Sequence, residues 1–203
     1  MAKQEKACTA PKKTVICISG LAGTGKSTLS KKLADKYHLR YFSGGDVLKE
    51  LAKQEGYDVS VRGWWESPEG LKFLNERVND PKFDKAVDDK LLEYVHQGNV
   101  LLDSWTMPWL LKEGFKIWLE ASLEKRAARV AVRDGISVAE AFEVLKEKEA
   151  HTKAIYKKLY GFILGEDFKP FDFILDTDSL SANEVYEVLC RVIDNVVLSV
   201  PSV

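Results

Sequence analysis

The chain lacks a long apolar run, a surplus of either charge, and cysteine in any number. Nothing in its 203 residues approaches the ~20 consecutive apolar positions of a membrane-spanning helix. The opening stretch, MAKQEKACTAPKK, is positive but has no apolar segment of leader length. Lys plus Arg is 30 and Asp plus Glu is 31, a formal net charge of −1. No excess positive field is present to hold a nucleic-acid backbone. Cys8, Cys17 and Cys190 are too few and too scattered for a disulfide framework or a zinc site. His38, His96 and His151 lie far apart and have no metal-ligand spacing. These absences point to a cytosolic protein with no nucleic-acid or membrane partner; a monomer or weak homodimer is expected. What is present is ordinary globular material, 45% hydrophobic and 30% charged. The length suits one domain that buries roughly 70% of its unfolded surface.

Residues 1–13 read as a polar, frayed tail. Thr14 to Ser19 is a short apolar run rich in β-branched residues, the mark of a strand covered on both faces. Residues 26–38 repeat apolar positions at helical spacing. The alternation continues with strands at 39–43, 99–103, 115–120 and 171–176. Helices are expected over 46–54, 83–97, 123–134, 138–160 and from the capping box at Ser181 and Glu184 to about 198. Asp46 is placed to cap the second helix. Residues 56–82, with Trp64, Trp65, Pro68 and Pro81, look less regular and are read as a lobe over the sheet's C-terminal edge. Strands alternating with helices imply an α/β fold with a five-stranded parallel sheet flanked by helices.

Between the first strand and first helix stands Gly20-Leu21-Ala22-Gly23-Thr24-Gly25-Lys26-Ser27-Thr28, which fits the P-loop pattern in full. Its glycines let backbone N–H groups converge on an anion beside a helix N-terminus. Lys26 would reach the β- and γ-phosphates of ATP, Ser27 would bind Mg2+, and Thr28 would approach the α-phosphate. Asp103 ends a buried strand and is the second candidate metal ligand; the alternative is a strand-end carboxylate capping a turn. Arg126, Arg129 and Arg133 recur at spacings of three and four. They either close on a triphosphate or form a solvated face paired with Glu120, Glu124 and Asp134. Trp64, Trp65 and Trp109 read as packing, whereas Trp105, next to Asp103, reads as functional.

These segments together resemble the nucleoside monophosphate kinases, and most closely the archaeal-type cytidylate kinases. The resemblance spans about residues 14–195 and rests on TVICISGLAGTGKSTLSKKLADKYHL, YFSGGDVLKELAKQEG, GNVLLD, KIWLEASLEKRAARVAVRDGIS and FDFILDT. It implies a P-loop kinase with an acceptor-binding lobe at about 50–97 and a lid at about 126–160. It implies Mg2+-dependent transfer of the γ-phosphoryl group of ATP to CMP or dCMP. Ser43 and Asp46 match the acceptor-site motif, and Arg126, Arg129 and Arg133 match the lid-side arginines.

Three positions depart from the family pattern: Lys49, Trp105 and Ile155 stand where arginines are usual. A monophosphate carries about −1.5 to −2 charges at pH 7, which bidentate arginines offset and Trp or Ile cannot. Either Arg62, Lys72 and Arg77 complete the site, or the acceptor is a phosphate-free alcohol, for which Asp46, and next Asp103, would serve as base. The acceptor side is therefore assigned to Ser43, Asp46, Lys49 and Trp105. A non-catalytic nucleotide-binding protein is the remaining alternative.

Overall fold

Val15–Ser19 forms β1, and it turns its apolar side chains alternately into two cores. Ile16 and Ile18 pack with Leu29 and Leu33 on one face, while Cys17 faces Val87, Leu91 and Leu102 on the other. That is why the run is continuously apolar rather than alternating. The computed structural model describes residues 13–60, 63–80 and 82–198. The expected tail, apart from its last residue, together with Cys8 and Arg62 lies outside the described residues.

The other strands are β2 (Arg40–Ser43), β3 (Val100–Asp103), β4 (Phe115–Glu120) and β5 (Phe173–Asp176). All pair in parallel, in the order β2-β3-β1-β4-β5. The register sets Asp103 opposite Ile18 on one side and Ser43 on the other. The C-terminal ends of β1, β2 and β3 thus lie at one level, the edge where ligands bind in such sheets.

The helices are α1 (Lys26–Tyr37), α2 (Gly44–Gln54), α3 (Pro68–Asn79), α4 (Lys82–Gln97), α5 (Met107–Leu110), α6 (Leu123–Asp134), α7 (Val138–Tyr160) and α8 (Ala182–Val192). α1 and α8 cover one face of the sheet. α2, α3 and α4 bring Leu48, Phe73, Val87 and Leu91 to the other. The segment 56–82 is more regular than its composition suggested. Ser67 caps α3, its hydroxyl accepting from Gly70 N, and Pro68 occupies the first turn, where a missing N–H costs nothing. α2 starts two residues earlier than expected. Its cap is Ser43, whose Oγ accepts from Asp46 N at 3.1 Å, so Asp46 sits inside the first turn rather than capping it. The last helix ends its α-form at Val192 and continues as a wider π-turn over Ile193–Val197.

Candidate active site

The Gly-rich turn wraps the C-terminal end of β1 so tightly that two glycines are sterically required. A Cβ at Gly20 would lie 2.5 Å from Leu119 O, and one at Gly23, with φ +85°, would lie 2.9 Å from Arg126 Cβ. Gly25 precedes α1 in the left-handed region and provides no capping side chain, so the first N–H groups of α1 face outward unclaimed. Ala22 to Leu29 line a cavity of about 740 Å3, within the ~300–1,000 Å3 usual for small-molecule sites.

Four sequence-assigned residues, Lys26, Ser27, Asp103 and Trp105, meet at this end. Lys26 lines the cavity, donates weakly to Leu21 O at 3.5 Å, and lies 5.3 Å from the Trp105 ring centre. Burial pushes its ammonium below the usual lysine range, and the Asp103 carboxylate opposes that shift. Ser27 Oγ donates to Asp103 Oδ2 at 2.5 Å, and Tyr41 OH donates to the same oxygen at 3.3 Å. Trp105 is bound into the turn itself, its Nε1 donating to Gly20 O at 2.6 Å. The indole also lines the cavity.

The three arginines separate. Arg129 and Arg133 line the cavity; Arg126 does not. Arg126 is buried, and its guanidinium donates to Ala121 O, Ala22 O and the Glu149 carboxylate. It braces the Gly-rich turn against α6 and α7. Arg129 donates to Thr177 Oγ1 and O. Arg133 is held by Asp134 at 2.6 Å and Glu66 at 2.8 Å. Of the expected partners only Asp134 is used.

The cavity continues past Asp103 toward α3, α4 and α7. Ser43 and Asp46 line it, and Lys49, one turn along α2, does not. Ile155 is buried in an apolar cluster with Trp118 and Tyr156. Among the three residues weighed as replacements, Arg77 lines the cavity, Lys72 does not, and Arg62 is outside the described residues. Arg77 is 3% exposed and grips Asp84 through Nη2 at 2.6 Å and Nε at 3.2 Å. Next to that pair, Asp88 accepts from Thr106 Oγ1 and from Tyr160 OH. Burial raises the Asp88 carboxyl to about 6, with Asp84 and Asp89 adding and the two hydroxyls opposing. Across the cavity Lys148 donates to Glu66 at 2.8 Å and lies over Trp65. Trp64 is fully buried with Phe73, and Trp109 stacks on Phe162.

Asp84, Asp88, Thr106, Glu66 and Lys148 were not singled out from the sequence. A signal for two of them was present. Asp84 and Asp88 are four apart on the same α4 stripe as Val87 and Leu91, where carboxylates interrupt an inward face.

Residues 15–179 match the model of the Cytidylate kinase-like family. The chain belongs to that family. Among its curated relatives, cytidylate kinase from Pyrococcus horikoshii is 35% identical over 184 residues, covering 90% of either chain. Cytidylate kinase from Methanocaldococcus jannaschii is 33% identical, over 89% of this chain and 98% of its own. The structure of shikimate kinase from Bacteroides thetaiotaomicron superposes with a TM-score of 0.54 at 15% identity, over 89% of this chain and 96% of that one. This last likeness concerns the fold, a P-loop kinase sheet with flanking helices. A member of the cytidylate kinase-like family with this sheet is a phosphotransferase of the nucleoside monophosphate kinase-like kind. Among the described residues, no helix is long and apolar enough to cross a membrane.

Proposed function

We propose that this chain transfers the γ-phosphoryl group of Mg2+-bound ATP to a small acceptor lying between α2, α4 and α7. The observation that carries the reading is the continuity of one cavity from the Gly-rich turn, Lys26 and the Ser27–Asp103 pair to Asp46 and Arg77. The backbone of residues 20–28 would cradle the triphosphate, and Lys26 would meet its terminal phosphates. Ser27 and Asp103 offer two hard oxygens 2.5 Å apart, a donor set suited to Mg2+, which needs few protein ligands. When bound there, the ion supplies charge neutralisation on the phosphates.

Arg129, whose hydrogen-bond acceptors among the described residues belong to Thr177, makes no ion pair there and would turn to the transferring group. Arg133 joins it by exchanging Glu66 for phosphate. Arg126 acts through the turn it braces. Ser43 and Asp46 face the acceptor, with Lys49 at its margin and Trp105 between the two substrates. We assign residues 50–97 to the acceptor lobe and 126–160 to the lid, and place the reaction in the cytosol. Catalysis is then mainly positioning and charge neutralisation.

The relatives' names bring CMP, and with it dCMP, to this chain as first acceptors to assay. A coupled assay of ADP release should show Mg2+-dependent turnover stimulated by an acceptor, with CMP, dCMP, cytidine and other alcohols tested side by side. ATP binding without turnover on any of them would leave a non-catalytic nucleotide-binding protein. Absence of calorimetric heat with Mg-ATP would defeat the reading altogether.

A further inference from the structure

We infer that the acceptor is a phosphate-free, hydroxyl-bearing molecule, and that one of its hydroxyls donates to Asp88. The inference rests on the phosphoryl-transfer reading above and concerns only its acceptor.

Five cationic side chains and five carboxylates line the cavity among the described residues. Lys26 and Arg129 are the cations without an ion-pair partner among them, and both sit at the triphosphate end, on the Gly-rich turn and α6. Among the described residues lining the cavity, every cation toward α3, α4 and α7 is already matched. Arg77 is held bidentately by Asp84, and Lys148 by Glu66.

A dianionic phosphate entering there would have to take one of these guanidinium or ammonium groups from its carboxylate. For Arg77 that would strand Asp84, which is 4% exposed. Asp88 tips the balance further. It is 4% exposed, lines the same cavity, and among the described residues has two neutral hydroxyl donors, Thr106 and Tyr160. A carboxylate accepts about four hydrogen bonds, so it retains capacity for a donor on the ligand and repels an anion. Leu74, Tyr156, Trp65 and Trp105 supply the apolar part of the wall.

The reacting hydroxyl is another on the same molecule. Its oxygen forms a bond to the γ-phosphorus, the bond from that phosphorus to the β,γ-bridging oxygen breaks, and ADP leaves with the electron pair. The hydroxyl proton passes to Asp46. Asp46 is the one cavity carboxylate that accepts no side-chain hydrogen bond among the described residues.

The test compares, by titration calorimetry, Mg-ATP with the adenosine–cytidine pentaphosphate that joins ATP to a phosphate-bearing acceptor in one molecule. The wild-type chain should bind the pentaphosphate no more tightly than Mg-ATP. In Asp88→Asn the pentaphosphate should gain several-fold in affinity while Mg-ATP is unchanged, a selective effect that mere structural damage would not give. Tenfold or tighter binding of the pentaphosphate to wild type would overturn the inference and leave the kinase reading standing. No heat with Mg-ATP would instead remove the kinase reading and this inference with it. The wild-type comparison decides the matter even if the variant fails to fold.

Discussion

The two ends of the cavity are built in different ways. At the end proposed for the triphosphate the work falls to contiguous backbone: a six-residue turn from Gly20 to Gly25, the first N–H groups of α1, and cations that make no ion pair among the described residues. At the opposite end it falls to side chains from α3, α4, α7 and the loop after β3, where cations and carboxylates are locked to one another. The first arrangement suits an anion that every member of a kinase family shares. The second can be rewritten residue by residue without disturbing the first, and so it is where one family member is free to differ from another in its acceptor.

The comparison is most exposed at the Arg77–Asp84 pair. Asp84→Asn would leave a buried guanidinium uncompensated and should cost about 3–5 kcal/mol of stability. Denaturant unfolding should register that loss, and Mg-ATP affinity measured on the folded fraction should hardly change. Coupled losses at both ends would show that they are not separable.

Asp88 gives the next largest effect. Its carboxyl stands at about 6 in the folded chain against an ordinary 3.8, so between those values the folded state keeps a proton that the unfolded state releases. Its contribution is therefore present below pH 4 and disappears as pH rises through 6, a swing of about 3 kcal/mol at 1.36 kcal/mol per unit. Asp88→Asn should flatten that part of the stability–pH curve. An unchanged curve would place the carboxylate in contact with water.

Lys26→Ala should lower turnover by ~10²-fold or more with little change in melting temperature, because one preorganised charge is lost from an otherwise intact cradle. Near-normal turnover would remove Lys26 from the mechanism. Since burial depresses the Lys26 ammonium, activity in the wild type should also decline on the alkaline side earlier than an ordinary lysine would dictate.

Trp105→Phe is the gentlest of the four changes. It removes one hydrogen bond to Gly20 O and keeps an aromatic ring near Lys26, so about 1 kcal/mol of stability should be lost. A much larger loss of Mg-ATP affinity would mean that the indole holds the turn in its binding shape.

Legibility followed the same division. Strand, Gly-rich turn and helix stand within 24 residues of one another, so β1, the turn and α1 could be read directly, as could Asp103 at the end of an apolar run. β4 has the expected bounds, and the other four strands end where expected but start one or two residues later. α3 was obscured because Trp64, Trp65 and Pro68 were weighed as irregular composition, although Ser67-Pro68 is a good helix start. The three arginines of α6 could be placed on one helix but not assigned partners. Arg126 turned to Glu149, 23 residues away, and Arg133 to Glu66, 67 residues away.

By itself, then, the amino-acid order determined the sheet, the Gly-rich turn and the carboxylate beside it, since each depends on neighbours along the chain or on a period of two or 3.6 residues. Only the tertiary structure decided which cations remain available and which are spent. That outcome depends on which carboxylates the folded helices bring within hydrogen-bonding reach, and on how little water is left there to compete.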